Sequence, residues 1–267
     1  MQFYRYKIVV EYNGTNYYGL QIQQKPALPT IEQAIVAALN KLTNQNLLDL
    51  AVAGRTDAKV HSLGQVFHFD TSKFLANHQV VLGLNHYLQA EEIRVLSACL
   101  VDENFHARFS VKKRTYQYLI CNRQAPSALL KNLAWHIAKP LDVLAMQLAS
   151  QFLLGCHDFS AFRDGECQAK SPIRSLDAIN FMLPENSAHN FSDNFNSSGL
   201  LADCIKINVV AKSFLHHMVR NIVGTLVYVG LGKFQPTQVL QILHSKNRTK
   251  AGPTAPACGL YFLSAKY

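Results

Sequence analysis

Alternating apolar and polar residues mark the first element of the chain. Ile8, Val10 and Tyr12 fall on one side of a strand predicted over residues 7–12. A helix is predicted next, because Thr30 is a good N-cap and Gln33 can complete a capping box. The apolar residues after Thr30 keep helical spacing; they are Ile31, Ile35, Ala38, Leu39 and Leu42.

The remaining pattern mixes both kinds of element along the whole chain. Strands are predicted over 65–70, 93–100, 114–121 and 205–210, and helices over 80–88, 141–154 and from residue 215 to near Gly230 and Gly232. Gly155 is expected to end the helix over 141–154 at its C′ position. Residues 184–199, rich in Asn, Ser and Asp, predict a surface loop. The similar order of elements in the two halves suggests a pseudo-repeat, although no residues repeat.

Charge indicates the kind of partner. Lys and Arg total 26 against 17 Asp and Glu, a formal net charge of +9. This excess favours an anionic partner, although a merely basic soluble protein has the same balance. Residues 1–12 lack the apolar run of a signal peptide, and the apolar stretch 222–231 is too short to span a bilayer. We therefore expect a soluble, cytoplasmic protein, with six reduced cysteines and no zinc site.

The segment Gly54-Arg55-Thr56-Asp57 holds the strongest candidate for chemistry. Glycine permits a tight backbone path, and Arg55 can reach a phosphate while the Asp57 carboxylate points elsewhere. A turn in which Asp57 only accepts backbone hydrogen bonds explains the same residues. For the segment in isolation, that second interpretation is the commoner one.

A basic cluster precedes and enters the strand predicted over 114–121. Arg108, Lys112, Lys113 and Arg114 can neutralise phosphates, and interleaved aromatic rings can stack on unpaired bases. A solvated basic edge leading into a half-buried strand is an equally good interpretation of the cluster alone.

A polar stripe is predicted on the last helix. His216, His217, Arg220, Asn221 and Gly224 share one side by helical spacing, and the glycine would let another backbone approach. The stripe can also be read as a solvated face. Adjacent histidines on a helix diverge by about 100°, so we expect no metal site here.

These segments together resemble the tRNA pseudouridine synthase A family nearly from end to end. The ordered matches are Glu11–Thr15, Gly19–Gln23, Gly54–Ala58, Val60–His61, Gly64–Gln65, Gly83–Asn85, Phe105–Ser110, Tyr116–Tyr118, Gly155–Phe159, Ser213–Asn221 and Gly259–Tyr261. So many matches in order are far more specific than any single motif. They favour the functional interpretation of Asp57, Tyr116 and Arg220.

The resemblance implies an α+β fold, in which two similar mixed α/β halves share an antiparallel sheet and have a basic cleft between them. We expect the first half at residues 1–104, with the aspartate loop, and the second at 105–267, with the loop at 184–199. It also implies a homodimer in which one tRNA touches both chains. Such a dimer would isomerise uridines 38 to 40 of the anticodon stem-loop, with no organic cofactor and no metal.

The resemblance also implies roles for single residues. Asp57 would act as a nucleophile or stabilise charge at the sugar, and Arg220 would pair with it. Tyr116 would stack on the flipped base, near the C5 proton that must finally leave. Arg55 is the candidate contact for the neighbouring phosphate, and Arg108 is a further substrate contact.

One residue near Asp57 departs from the family pattern: Lys59 stands where the family usually has glycine. Its side chain can change the local turn or add a phosphate contact. Two other classes of function share some of these features, namely a non-catalytic RNA-binding module and a metal-dependent nuclease that uses Asp57 with nearby histidines. Turnover separates the first from a synthase, and chelator sensitivity with strand cleavage separates the second.

Overall fold

The computed structural model describes residues 3–22, 28–46, 50–183, 201 and 203–267. They form two compact units, the first comprising Met1–Arg114 with Tyr261–Tyr267 and the second Thr115–Leu260. The strands, in chain order, are β1 (Tyr4–Tyr12), β2 (Ala51–Val52), β3 (His61–Thr71), β4 (Ile93–Val101), β5 (Lys113–Cys121), β6 (Trp135–His136), β7 (Gly155–Asp158), β8 (Ile173–Met182), β9 (Cys204–Ala211) and β10 (Leu260–Lys266). The α-helices are α1 (Ile31–Thr43), α2 (Asn77–Tyr87), α3 (Val143–Gln151), α4 (Met218–Gly230) and α5 (Gln238–Ser245).

The first unit is built around β1 and β3. β1 lies between β4 and β3 and is antiparallel to both, while β10 pairs with β3 in parallel and β2 pairs with β3 antiparallel. Helix α2 packs on β4 and on α1. Alternate residues of β1 are fully buried, so the predicted pattern of Ile8 and Val10 is confirmed, and these side chains form one core with α1 and α2.

Helix α1 begins as its sequence predicts. The Thr30 hydroxyl accepts a hydrogen bond from the Gln33 N–H, and the Gln33 side chain accepts one from the Thr30 N–H. This reciprocal capping gives a hydrogen-bond acceptor to each of two backbone N–H groups at the helix start, those of Thr30 and Gln33. Its apolar side is buried at Ile35 and Leu39.

The second unit repeats the combination of strands and helices. β9 lies between β5 and β8, β7 pairs with β8, and β6 is parallel to β5. Helix α4 packs against α3 and is buried on nearly every side; within it only Arg220 and Tyr228 are half-exposed. A helix that is buried on all sides needs apolar or fully bonded residues all round, and α4 meets this condition.

The mixed α/β class is confirmed in both units. Strand pairing is mainly antiparallel, as expected, with the parallel pairs β3–β10 and β5–β6 in addition. Among the described residues, the helices lack the length and apolar character needed to cross a bilayer. The loop predicted over 184–199 lies outside the described residues.

The division into units differs from the expected boundary between residues 104 and 105. The first unit continues to Arg114, inside β5, and also takes in the C-terminal strand. Tyr261 and Phe262 pair in parallel with His61 and Ser62, and the Ser62 hydroxyl donates to the Phe262 carbonyl at 3.1 Å. A pairing between such distant segments leaves no trace in local periodicity.

Two predicted helix bounds are wrong. α3 ends at Gln151, and Gly155, with φ of 90°, begins β7 instead of following the helix as its C′ residue. α4 begins only at Met218, because His217 has φ of 58° and adopts the left-handed conformation. Six elements have no counterpart in the sequence-based prediction, namely β2, β6, β7, β8, α5 and β10.

The close approach predicted at Gly224 is confirmed. A Cβ atom at this position of α4 would collide with the Pro253 carbonyl oxygen. We expect Gly224→Ala to lower the free energy of unfolding by about 1–3 kcal/mol, because backbone on a buried helix cannot easily give way. Urea denaturation measures this change. Gly165→Ala is the control, since a Cβ there meets no atom within 4 Å. Equal stability of the two variants would show that the Pro253 backbone does not confine position 224.

Candidate active site

The loop that carries Asp57 connects β2 to β3 in the first unit, and its centre is fixed by a buried contact. The hydroxyls of Thr56 and Tyr12 share a hydrogen bond of 2.7 Å, and the Leu20 N–H donates to the Thr56 carbonyl at 3.1 Å. Burial raises the pKa of Tyr12 to about 12, so its hydroxyl stays protonated. Asp57 itself is half-exposed. The residue before it is therefore anchored while the carboxylate remains accessible.

Side chains also hold the start of the loop. The Gln65 amide donates to the Gly54 carbonyl at 2.8 Å, and the Arg114 guanidinium donates to the Ala53 carbonyl at 2.7 Å. Backbone pairing with β3 extends to the Ala53 N–H, which donates to the Val66 carbonyl at 2.8 Å, and these side-chain hydrogen bonds continue the restraint beyond it. The backbone is thus restrained on both sides of Arg55, whose side chain is exposed.

A tight turn follows Asp57. The Val60 N–H donates to the Asp57 carbonyl at 3.2 Å, and Lys59, inside this turn, has φ of 64°. Gly19, with φ of 89°, lies so close that a Cβ would approach the Thr56 carbonyl oxygen to 2.9 Å. Gly14 is equally confined, because its Cβ would collide with the Val60 carbonyl. These glycines let two backbone segments lie directly against the Asp57 turn.

Arg108, the other predicted contact of the first unit, lies in a turn spanning residues 106–110. Its side chain is exposed, and its carbonyl accepts a hydrogen bond from Arg114 at 2.9 Å. Arg114 therefore bonds both to the residue before Gly54 and to Arg108. The sequence does not identify this linking role, since Arg114 reads as one more member of the basic cluster.

Tyr116 lies on β5 in the second unit. It is 8% exposed, and its ring meets the Phe214 ring edge to face, with centroids 5.1 Å apart. Tyr118, two residues on, donates its hydroxyl to the Pro256 carbonyl at 2.7 Å. Burial raises the pKa of Tyr118 well above its usual value, and the positive charge of Arg220 acts in the opposite direction.

Arg220 is held from two sides. Its Nε donates to the Ala255 carbonyl at 2.7 Å, and the Ala255 N–H donates to the Arg220 carbonyl at 3.1 Å. The guanidinium is half-exposed, in contrast to its neighbours on α4. The Nε contact therefore fixes the arginine side chain through one of its five N–H donors.

The predicted polar stripe on this helix is wrong in composition. His216 and His217 precede α4, so the argument from divergence on a helix does not apply to them, and their rings stack at 4.0 Å. Asn221 is fully buried; its amide donates to the Phe162 carbonyl and accepts from Arg248 and Thr254. The stripe is not a solvated face, because its Asn221 is an internal hydrogen-bonding residue.

Asp164 is a further residue that the sequence does not reveal. It accepts from the Glu166 N–H at 2.9 Å and bonds His217 Nδ1 at 2.7 Å, next to the start of α4. Although burial acts in the opposite direction, these hydrogen bonds hold the pKa of Asp164 below its usual value. The contact fixes the turn that leads into the helix of Arg220.

Each predicted site residue thus lies on a well-defined element. Asp57, Arg55 and Arg108 belong to the first unit, and Tyr116 and Arg220 belong to the second. The first unit thus combines a half-exposed carboxylate on an anchored loop with exposed arginines, which suit an anionic ligand.

Comparison with known proteins gives the family. A family model described as tRNA pseudouridine synthase matches residues 8–110 and 149–267. The tRNA pseudouridine synthase A of Anaplasma marginale (strain Florida) is 44% identical over 264 residues, which cover 98% of this chain and 100% of that protein. The tRNA pseudouridine synthase A of Anaplasma phagocytophilum (strain HZ) is 41% identical over 263 residues, with coverage of 98% and 100%. The chain belongs to the tRNA pseudouridine synthase family.

Lys59 gives a direct test of the Asp57 turn. A side chain in the left-handed conformation costs roughly 1–2 kcal/mol, and glycine recovers this at an entropic cost of about 0.5–1 kcal/mol. We expect Lys59→Gly to raise the free energy of unfolding by up to about 1 kcal/mol in urea denaturation. Lys59→Ala retains a Cβ and should bring no gain. If alanine stabilises the protein as much as glycine, backbone strain at this position is not the cause.

Proposed function

We propose that this protein converts uridines to pseudouridine at positions 38 to 40 of the tRNA anticodon stem-loop, with Asp57 as the catalytic carboxylate. The observation that carries the proposal is similarity over the whole chain to two proteins named tRNA pseudouridine synthase A. The anchored Asp57 loop supports the choice of residue, and the net charge of +9 supports an RNA substrate. The chemistry breaks the N-glycosidic bond of uridine and rejoins the base to the sugar through C5.

Asp57 would meet the main demand of this reaction. As the base departs, positive charge develops at the sugar, and a carboxylate can stabilise that charge or form a covalent bond to the nucleoside. Both roles need an ionised group that is in position before the substrate binds. The hydrogen bonds of Thr56, Gln65 and Arg114 supply that restraint.

Arg220 would keep the catalytic carboxylate ionised, because a neighbouring positive charge lowers the pKa of an acid. Its bond to the Ala255 carbonyl would hold the guanidinium still. Tyr116 would contact the flipped base through its ring and the C5 proton through its hydroxyl. The proposal requires these two residues and Asp57 to serve the same nucleotide.

The remaining contacts follow from charge. Arg55 and Arg108 are exposed and suited to phosphates of the tRNA, which each arginine can bind through two parallel hydrogen bonds. We also propose that the protein works as a homodimer in the cytoplasm, where its tRNA substrate is processed. It would need no metal and no organic cofactor, since the proposed steps use only acid–base and nucleophilic groups of the chain.

Replacing Asp57 tests the central assignment. Asp57→Asn is nearly isosteric, so the fold and tRNA affinity should survive while pseudouridine formation is lost, because an amide is neither anionic nor nucleophilic. Mass mapping of tRNA measures product, and filter binding measures affinity. Asp102→Asn removes an exposed carboxylate of the same unit and should stay active. Substantial pseudouridine made by Asp57→Asn would remove Asp57 from the chemistry.

Tyr116 has two proposed jobs that can be separated. Tyr116→Phe keeps the ring and its contact with Phe214 but deletes the hydroxyl, so tRNA binding should persist. Help with proton transfer is worth on the order of 10² to 10⁴ in rate, and release of tritium from C5 of labelled uridine should slow accordingly. Tyr228→Phe, on α4, is the control. Parental tritium release by Tyr116→Phe would show that the hydroxyl takes no part.

A further inference from the structure

One aromatic ring of the first unit is unusually open to solvent. Phe109 is 73% exposed, more than any other aromatic side chain among the described residues. Within residues 102–113 it is the one exposed apolar side chain. Arg108, Lys112 and Lys113 are exposed close to it in sequence, while the exposed carboxylates of this range, Asp102 and Glu103, lie at its far end. A protein interface needs a patch of many apolar residues, whereas a lone ring among cations suits a nucleic acid base.

The turn that presents Phe109 is rigid. The Ser110 N–H donates to the His106 carbonyl at 2.9 Å, and the Ser110 hydroxyl accepts from the His106 N–H at 3.0 Å. His106 Nδ1 accepts from the N–H groups of Arg108 at 3.1 Å and Phe109 at 3.4 Å. A turn whose backbone is held in this way loses little conformational freedom when its side chains bind a ligand.

The turn is also anchored to the body of the unit. The buried Ala107 donates its N–H to His68 Nδ1 at 3.0 Å, and its carbonyl accepts from the Tyr267 hydroxyl at 2.9 Å. Burial lowers the pKa of His68 to about 4, so at neutral pH its nitrogen is available as an acceptor. The exposed ring is thus carried on a fixed base, not on a mobile tip.

The groups nearest the ring are cationic and aromatic. The His106 ring lies 4.4 Å from the Phe109 ring, tilted by 39°, and the Arg108 guanidinium lies 5.6 Å from its centre. An arginine beside a ring can bind a phosphate while the ring stacks on the attached base. Stacking accepts any base, because every base has a flat π face.

Arg114 ties this turn to the Asp57 loop within the same unit. Its guanidinium donates to the Arg108 carbonyl at 2.9 Å and to the Ala53 carbonyl at 2.7 Å. A base held on Phe109 would therefore sit at a fixed offset from the carboxylate. Such a second point of attachment sets which nucleotide of a loop reaches Asp57.

We propose that Phe109 stacks on an unpaired base of the substrate RNA other than the target uridine, while Arg108 binds a phosphate beside that base. The role rests on the proposed function, because it specifies how the same RNA is positioned. It assigns to the turn at 106–110 a part in choosing the nucleotide, in addition to the general attraction of positive charge for RNA.

The test compares two RNAs with equal numbers of phosphates, a hairpin with an unpaired loop and a blunt duplex. Phe109→Ala and Phe109→Leu should weaken binding to the hairpin roughly 5- to 100-fold and leave binding to the duplex within about twofold. Phe109→Trp should retain hairpin affinity, because indole also stacks. Phe74→Ala, which removes a ring 61% exposed on the same unit, is the matched control and should bind both RNAs normally.

Two further measurements complete the experiment: the salt dependence of RNA binding by Arg108→Gln and the sedimentation of Phe109→Ala. Arg108→Gln should reduce the slope of log affinity against log salt by about 0.7–0.9, as expected for one lost phosphate contact. Equal losses on hairpin and duplex for Phe109→Ala, or full binding by Phe109→Leu, would overturn the stacking role. A change in sedimentation of Phe109→Ala would also overturn it, by assigning the ring to a contact between copies of the chain.

These readouts are independent of turnover. If the parent protein makes no pseudouridine but Phe109→Ala still loses the hairpin selectively, the stacking proposal stands and the proposed function fails. If the parent makes pseudouridine and Phe109→Ala binds the hairpin normally, the stacking proposal alone fails.

Discussion

The buried hydrogen bond between the hydroxyls of Tyr12 and Thr56 is the contact on which the candidate site most depends. Both groups are buried, so breaking the bond would leave polar atoms unsatisfied, at a cost of about 1–3 kcal/mol. The bond fixes the residue directly before Asp57 to β1, in the centre of the first unit. A carboxylate that is to stabilise developing charge must be in place beforehand, and the bond to β1 restrains the backbone next to Asp57.

Arg114 extends this restraint across the surface of the first unit. Its guanidinium donates to the Ala53 carbonyl, at the start of the Asp57 loop, and to the Arg108 carbonyl, in the turn that bears Phe109. α4 shows the same principle in the second unit, where Gly224 admits the Pro253 backbone and Ala255 fixes Arg220. In each unit, an arginine side chain that donates to a backbone carbonyl helps to place a residue proposed to touch RNA.

Contacts between residues that are far apart in the chain cannot be read from local sequence, and this explains which features are predicted. β1 and α1 follow from local periodicity and from the Thr30 cap, because every interaction that defines them lies within a few residues. β10 and the start of α4 do not, since one needs a strand partner far away and the other a histidine in a left-handed conformation. Asp57 is proposed from its motif, and the positive φ of Lys59 accounts for a family preference for glycine at that position. The supporting roles of Tyr12, Arg114 and Asp164 are not predicted, because the hydrogen bonds that define them join residues distant in sequence.

The central proposal is that this chain isomerises uridine in tRNA with its own side chains and no metal. The most direct measurement incubates an unmodified tRNA transcript with the purified protein and EDTA, then maps pseudouridine by chemical labelling and mass spectrometry. We expect an intact transcript with pseudouridine at positions 38 to 40. An unmodified transcript, a cleaved transcript, or product only when metal is restored would contradict the claim.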